Sequence, residues 1–155
     1  MIQYLLDYFR YNDWANKKLL QTILALPDKN ETMRLFSHLI YSQNKWHNRV
    51  SKAQNDNDLD WFGPTFGEHE IEERWNESLA KWELLLNASD TEPDEYVIFT
   101  RKTDGKLMRV KLKDIVFQLN CHSVHHRAQI NKLISGQGVA VPATDYILTA
   151  ISEVS

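Results

Sequence analysis

The sequence predicts an all-α protein, an antiparallel four-helix bundle carrying a small β-hairpin between its third and fourth helices. Three observations predict it. Four long stretches repeat apolar residues at three- and four-residue steps, the connections between them are mostly short, and an alternating apolar–polar run is split by Thr103-Asp104-Gly105. Steps of three and four put side chains on one helix face, whereas strict alternation serves a strand. A two-stranded insert is too small to found a sheet layer, so the helices define the architecture.

The first helix is expected from about Ile2 to Leu26, with Ile2, Leu5, Phe9, Asn12, Asn16, Leu19, Ile23 and Leu26 on one face. Pro27 and Asp28 end it, and Asn30 is placed to cap a second helix running from about Glu31 to Gln54, with Glu31 at its positive N-terminal end. Asn55 to Glu68 has the polar, Gly and Pro content of a surface connection. The third helix carries Ile71, Trp75, Leu79, Trp82 and Leu86 on one stripe, and Ser89 to Glu95 breaks it.

Two short strands follow, near Tyr96 to Arg101 and Lys106 to Lys111, joined at the Asp-Gly turn. The fourth helix begins near Lys113 or Asp114 and reaches about Ser135, with Gly136 as its C-cap. The YILTAI segment near the end suits a short helix over one end of the bundle. Trp75, Trp82, Leu119 and Leu133 are expected to be buried.

At 155 residues, with 43% hydrophobic and 25% charged side chains, the chain fits one globular domain spanning 1–155. Its one cysteine, Cys121, excludes an intramolecular disulfide and points to a reducing compartment, so a cytoplasmic location is expected. The first residues lack the pattern of a leader, and no apolar run is long enough to cross a membrane. Net charge is −3, with Lys and Arg scattered among acids, so no nucleic-acid partner is expected.

The chemistry concentrates on the fourth helix. Its inward stripe reads Ile115, Leu119, His122, His126, Ile130 and Leu133, with two histidines where aliphatics would continue the pattern. An i,i+4 pair lies about 6 Å apart along the axis on one face. Such a pair serves either a shared metal ion or two hydrogen-bonded histidines. The first helix adds Asn12 and Asn16 in the middle of an otherwise apolar stripe, which implies water, a metal, a ligand or a register-fixing network inside the bundle.

The second helix offers His38 and His47, half a turn out of phase, so only one can face inward. His38 lies beside Leu35, Leu39, Ser42 and Trp46 and is chosen as the third ligand; His47 and His69 are assigned as solvent-facing or hydrogen-bonded surface histidines. His125 would need a far less apolar register, and Cys121 falls one residue off the stripe as a small packed residue.

With these pieces in order, the chain resembles the DinB-like family of metal-binding four-helix bundles. The resemblance rests on Phe9 to Asn16, on His38-Leu39 with Trp46 downstream, on Asn120 to Gln129, on the hairpin before the last helix, and on Pro142, Asp145 and Tyr146. Ala128 stands where the family commonly has Gly. The resemblance implies a divalent metal on His38, His122 and His126; Asn12, Asn16 and Trp46 are the candidates for the pocket around it. Zinc and nickel lead manganese on affinity order.

It further implies a metal-dependent thiol transferase acting on a small electrophile, with a thiol cosubstrate and homodimeric pairing. A metal-dependent hydrolase and a non-catalytic metal- or small-molecule-binding stress protein are the alternatives, and the residues assign no catalytic group.

Overall fold

A computed structural model of the chain describes residues 1–51 and 60–153. The described residues are mainly helical: α1 (Ile2–Leu24), α2 (Asn30–Val50), α3 (Ile71–Asn87), α4 (Leu112–Gly136) and a short α5 (Ile147–Ala150). Strands β1 (Tyr96–Thr100) and β2 (Leu107–Lys111) form one antiparallel pair in the register Tyr96 to Lys111 through Thr100 to Leu107. Both α1 and α2 pack against both α3 and α4, while α1 and α2 touch each other little. No helix among the described residues is long and apolar enough to cross a membrane.

The stripe expected on α1 is buried from Leu5 through Ile23, and the helix stops at Leu24 rather than Leu26. Pro27 accounts for the difference, because the residue before a proline is pushed out of the α region. Asn30 is the first residue of α2 and Lys29 is its cap; Asp28 Oδ1 accepts the Asn30 amide at 3.1 Å and satisfies one of the open donors that Asn30 was expected to serve. The expected end of this helix at Gln54, and the first part of the connection after it, lie outside the described residues.

The stripe of α3 is buried as read, with Trp75 and Trp82 fully enclosed. Their indole N–H groups donate to Asp13 Oδ1 at 2.8 Å and to the Gln43 carbonyl at 3.1 Å, which ties α3 to α1 and to α2. The hairpin strands each stop one residue short of expectation, since Arg101 and Lys106 belong to the turn. There the Arg101 amide donates to the Lys106 carbonyl, and Gly105 adopts φ 69°.

Strand β2 runs straight into α4, which starts at Leu112, a residue or two earlier than expected. The amides of Leu112 and Lys113 donate to the carbonyls of Glu95 and Pro93, so the segment entering the hairpin completes the N-terminus of the last helix. At its other end Gly136 is still helical, Gln137 is the cap, and Gly138 takes the left-handed φ of 73°. Leu133 is partly buried instead of buried, and Ile134 fills the core position beside it.

Two apolar cores result. One gathers Ile23, Phe36, Ile40, Trp75 and Ile130; the other gathers Phe9, Leu79, Trp82, Ile115 and Leu119. Between them every long helix contributes buried polar groups: Asn12 and Asn16 from α1, His38 and Gln43 from α2, Ser78 from α3, and Asn120, Ser123, His126 and Arg127 from α4. This polar layer positions the site.

Candidate metal centre

His38 projects from α2, and His122 and His126 lie one turn apart on α4. Their imidazoles meet through one type of atom. His38 Nε2 lies 3.1 Å from His122 Nε2, and His126 Nε2 lies 3.0 Å from the same nitrogen. These three are the histidine, cysteine and carboxylate residues whose ligand atoms cluster among the described residues.

The outer nitrogens are already committed. His38 Nδ1 donates to the Trp61 carbonyl at 2.5 Å, and His126 Nδ1 donates to Gln129 Oε1 at 2.7 Å. A carbonyl oxygen only accepts, so in the neutral rings the proton sits on Nδ1 and the Nε2 lone pair faces the centre. His122 can donate its own Nε2 proton to one neighbour at most. With the His122 proton on Nδ1, both contacts of about 3 Å set lone pair against lone pair; with it on Nε2, one contact becomes a hydrogen bond and the other is left without one, whereas a cation held among the nitrogens engages every lone pair.

Protonation is a poor substitute for that cation. Burial, followed by the neighbouring His126, His38 and His125, pushes His122 down to about 4. Burial also lowers His38, against the pull of the Trp61 carbonyl, and lowers His126, against Gln129. The donor set fits a divalent ion: two metal–nitrogen bonds of about 2.1 Å at 90–110° need nitrogens about 3.0–3.4 Å apart. Two of the three nitrogen pairs have that spacing and all three ligand atoms lie within 4.8 Å of one another, so the three histidines could hold one.

The surrounding residues differ in part from expectation. Asn12 and Asn16 are fully buried at the right depth, but they bind a guanidinium instead of facing the triad. Arg127 Nη1 donates to Asn12 Oδ1 at 2.8 Å and to Asn16 Oδ1 at 3.0 Å, and Nη2 donates to the Tyr11 hydroxyl at 3.0 Å. Arg127 follows His126 in the chain, so the amides reach the site through α4. Burial lowers the Arg127 pKa, with Tyr11 opposing that shift. Its place was signalled by Asn120, Ser123 and Arg127, a second polar row on α4 at steps of three and four.

Trp46 packs edge-on against Trp61 at 6.2 Å and Phe99 at 5.5 Å, one residue removed from His38 through the Trp61 carbonyl. Phe62, which sequence reasoning passed over as connection, stacks flat on His38 with ring centres 3.9 Å apart and planes 3° from parallel. His69 is exposed, as assigned, and His125, whose register is unfavourable, is exposed too. His47 takes the hydrogen-bonded alternative: it is partly buried, bonded to the Lys81 backbone with its ring against Trp82 at 5.6 Å, and burial, with the Lys81 charge, lowers its pKa. Cys121 is exposed and not packed, because its position on α4 points away from the buried stripe.

The chain matches the DinB family over residues 1–153, nearly its whole length. It belongs to the DinB family. No curated protein and no solved structure matches it.

Proposed function

We propose that this DinB-family chain, folded as an antiparallel four-helix bundle, binds a divalent cation through His38, His122 and His126 and uses it to transfer a thiol to a small electrophile. The observation that carries this reading is the convergence of three histidines, with the Nε2 atoms of His38 and His126 at 3.1 and 3.0 Å from that of His122, all three ligand atoms within 4.8 Å of one another, and two of the outer nitrogens held by acceptors. Three neutral imidazoles leave the full charge of a bound divalent ion on its open positions, which favours an anionic fourth ligand such as thiolate, whose free thiol has a pKa near 8.5.

The chain's own groups supply a place for the reactants. A cavity of about 650 Å³ lies between α2 and α4, lined by Arg34, Leu35, Gln129, Lys132 and Leu133. It adjoins the triad, since Gln129 holds His126 and the Arg34 charge acts on both His38 and His126. Leu35 and Leu133 offer apolar contact for an electrophile and Lys132 offers charge for an acidic group on a cosubstrate, while Arg34 is paired with Glu31 in the same wall.

Elemental analysis of the purified protein, followed by turnover of an activated aryl halide, tests the reading. Turnover that needs both metal and added thiol supports it. Turnover with metal alone assigns a hydrolase, and bound metal without turnover of either kind assigns a binding protein. The homodimer implied by the resemblance is a proposal of the same standing, checked by sedimentation at micromolar concentration.

A further inference from the structure

The segment from Trp61 to Phe66 is fastened to α2 by a series of contacts along its length. The Trp61 carbonyl accepts from His38 Nδ1, and the Phe62 ring covers His38. Tyr41, one turn further along α2, donates its hydroxyl to the Pro64 carbonyl at 2.8 Å and stacks on Phe66 at 4.9 Å. The Phe66 amide donates to Ser37 Oγ at 3.0 Å. Ser37, His38 and Tyr41 share one side of the helix, so the segment is laid along α2 in a single register.

Gly63 is what permits this close approach. A Cβ built there would lie 2.5 Å from Tyr41 Cζ and 2.7 Å from its hydroxyl oxygen, well inside contact distance. The Tyr41 ring could retreat only by giving up Phe66 and Pro64, the two contacts that hold the far end of the segment. Displacing that end moves the Trp61 carbonyl, and with it the acceptor that keeps the His38 proton on Nδ1 and the Nε2 lone pair toward His122.

We propose that the Trp61–Phe66 segment is the positioning element of the metal centre: its backbone and the Gly63–Tyr41 contact fix the tautomer and ring orientation of His38, so metal affinity is set in part by residues that touch no metal. The inference rests on the reading of His38, His122 and His126 as ligands. It is the same relation by which an acceptor behind a ligating imidazole tunes the ligand, here delivered by a connection and not by a neighbouring helix. Binding linkage makes the relation reciprocal: a cation that needs the segment in place also holds the segment in place.

The test uses full-length protein and zinc alone, with affinity measured by competition against a chromophoric chelator. Gly63→Ala and Phe62→Ala are expected to weaken zinc binding roughly ten- to a hundredfold while keeping the parent's helical circular dichroism. The imidazole nitrogen-15 spectrum of the zinc-free parent should show His38 protonated on Nδ1, and Gly63→Ala should show a tautomer mixture, a change that a merely structural role would not produce. Adding zinc should slow hydrogen exchange at the Trp61, Phe62 and Phe66 amides in the parent and not in His122→Ala.

If the parent and His122→Ala take up zinc alike, the ligand assignment itself is wrong. If zinc binding depends on His122 but both segment variants bind like the parent, the ligands stand and the positioning role is overturned. Should a variant fail to fold, hydrogen exchange in the parent decides alone: a zinc-loaded parent whose Trp61, Phe62 and Phe66 amides exchange at the zinc-free rate overturns the proposal.

Discussion

At the scale of single residues, the three histidines and the buried arginine have separable roles, and substitution should separate them. Alanine at His38, His122 or His126 is expected to remove most of the metal, because each supplies one of three converging nitrogens. His69→Ala should change neither metal content nor stability, since that ring is exposed. His47→Ala should leave metal in place but cost about 1 kcal/mol of stability through its lost contact with Trp82. Metal analysis and urea unfolding of the set check this; retained metal in all three triad variants would overturn the site. Arg127→Leu removes the common donor of Asn12, Asn16 and the Tyr11 hydroxyl, and it should destabilise the fold by about 3 kcal/mol. Arg127→Lys should recover only part of that, because one ammonium cannot reproduce the planar fork. The triad was legible in the sequence because helix periodicity is local and histidine breaks an aliphatic stripe visibly. The partner of Asn12 and Asn16 was not: it lies more than a hundred residues away on another helix, and periodicity within α1 carries no information about it.

At the scale of elements, what could be read was whatever the local chain decides. The stripes on α1 and α3 and the turn at Asp104-Gly105 follow from residue periods and turn chemistry. The helix starts shifted by a residue or two because backbone carbonyls and side chains of neighbouring segments, not the cap residue alone, satisfy the first amides, as Pro93, Glu95 and Asp28 do. The Trp61–Phe66 segment was unreadable for a related reason: its composition marks a connection, while its role comes from distant contacts with Ser37, His38 and Tyr41. The hairpin carries its own prediction. Gly105 sits at φ 69° with open space where a Cβ would go, so Gly105→Ala should cost about 1 kcal/mol from backbone strain alone. Its effect should be confined to stability, with zinc affinity at the parent's value. A hairpin variant that lost metal would show that the strands, and not only the helices, hold the centre together.

At the scale of the whole molecule, two apolar cores are separated by a polar layer that all four long helices enter, and the triad is its titratable part. That arrangement couples stability to pH with a definite sign. His38, His122 and His126 all have folded-state pKa values below the usual 6.5, with His122 at about 4. Between those values and 6.5 the unfolded chain binds more protons than the folded one, so stability rises with pH across the window. In metal-free protein the contribution is complete above pH 6.5 and is lost as pH falls toward 4, by about 1–2 kcal/mol for His122 after allowing for solvent screening. A bound cation adds to this by mass action, about 4 kcal/mol at a thousandfold excess over Kd, or about 10 °C in melting temperature for a chain of this size. The depressed values also move the point at which protons displace the cation. Metal should be retained somewhat below pH 6.5, where an unperturbed histidine would already be protonated, and released as pH approaches 4. Thermal unfolding with and without zinc from pH 8 to pH 4 measures both effects. The zinc-loaded and zinc-free curves should stay well apart near neutrality, both decline below pH 6.5, and merge at the acid end. Curves that remained equally separated throughout would mean that the cation is held by groups other than these imidazoles, because only a site built from titrating nitrogens must surrender its metal to protons over this range.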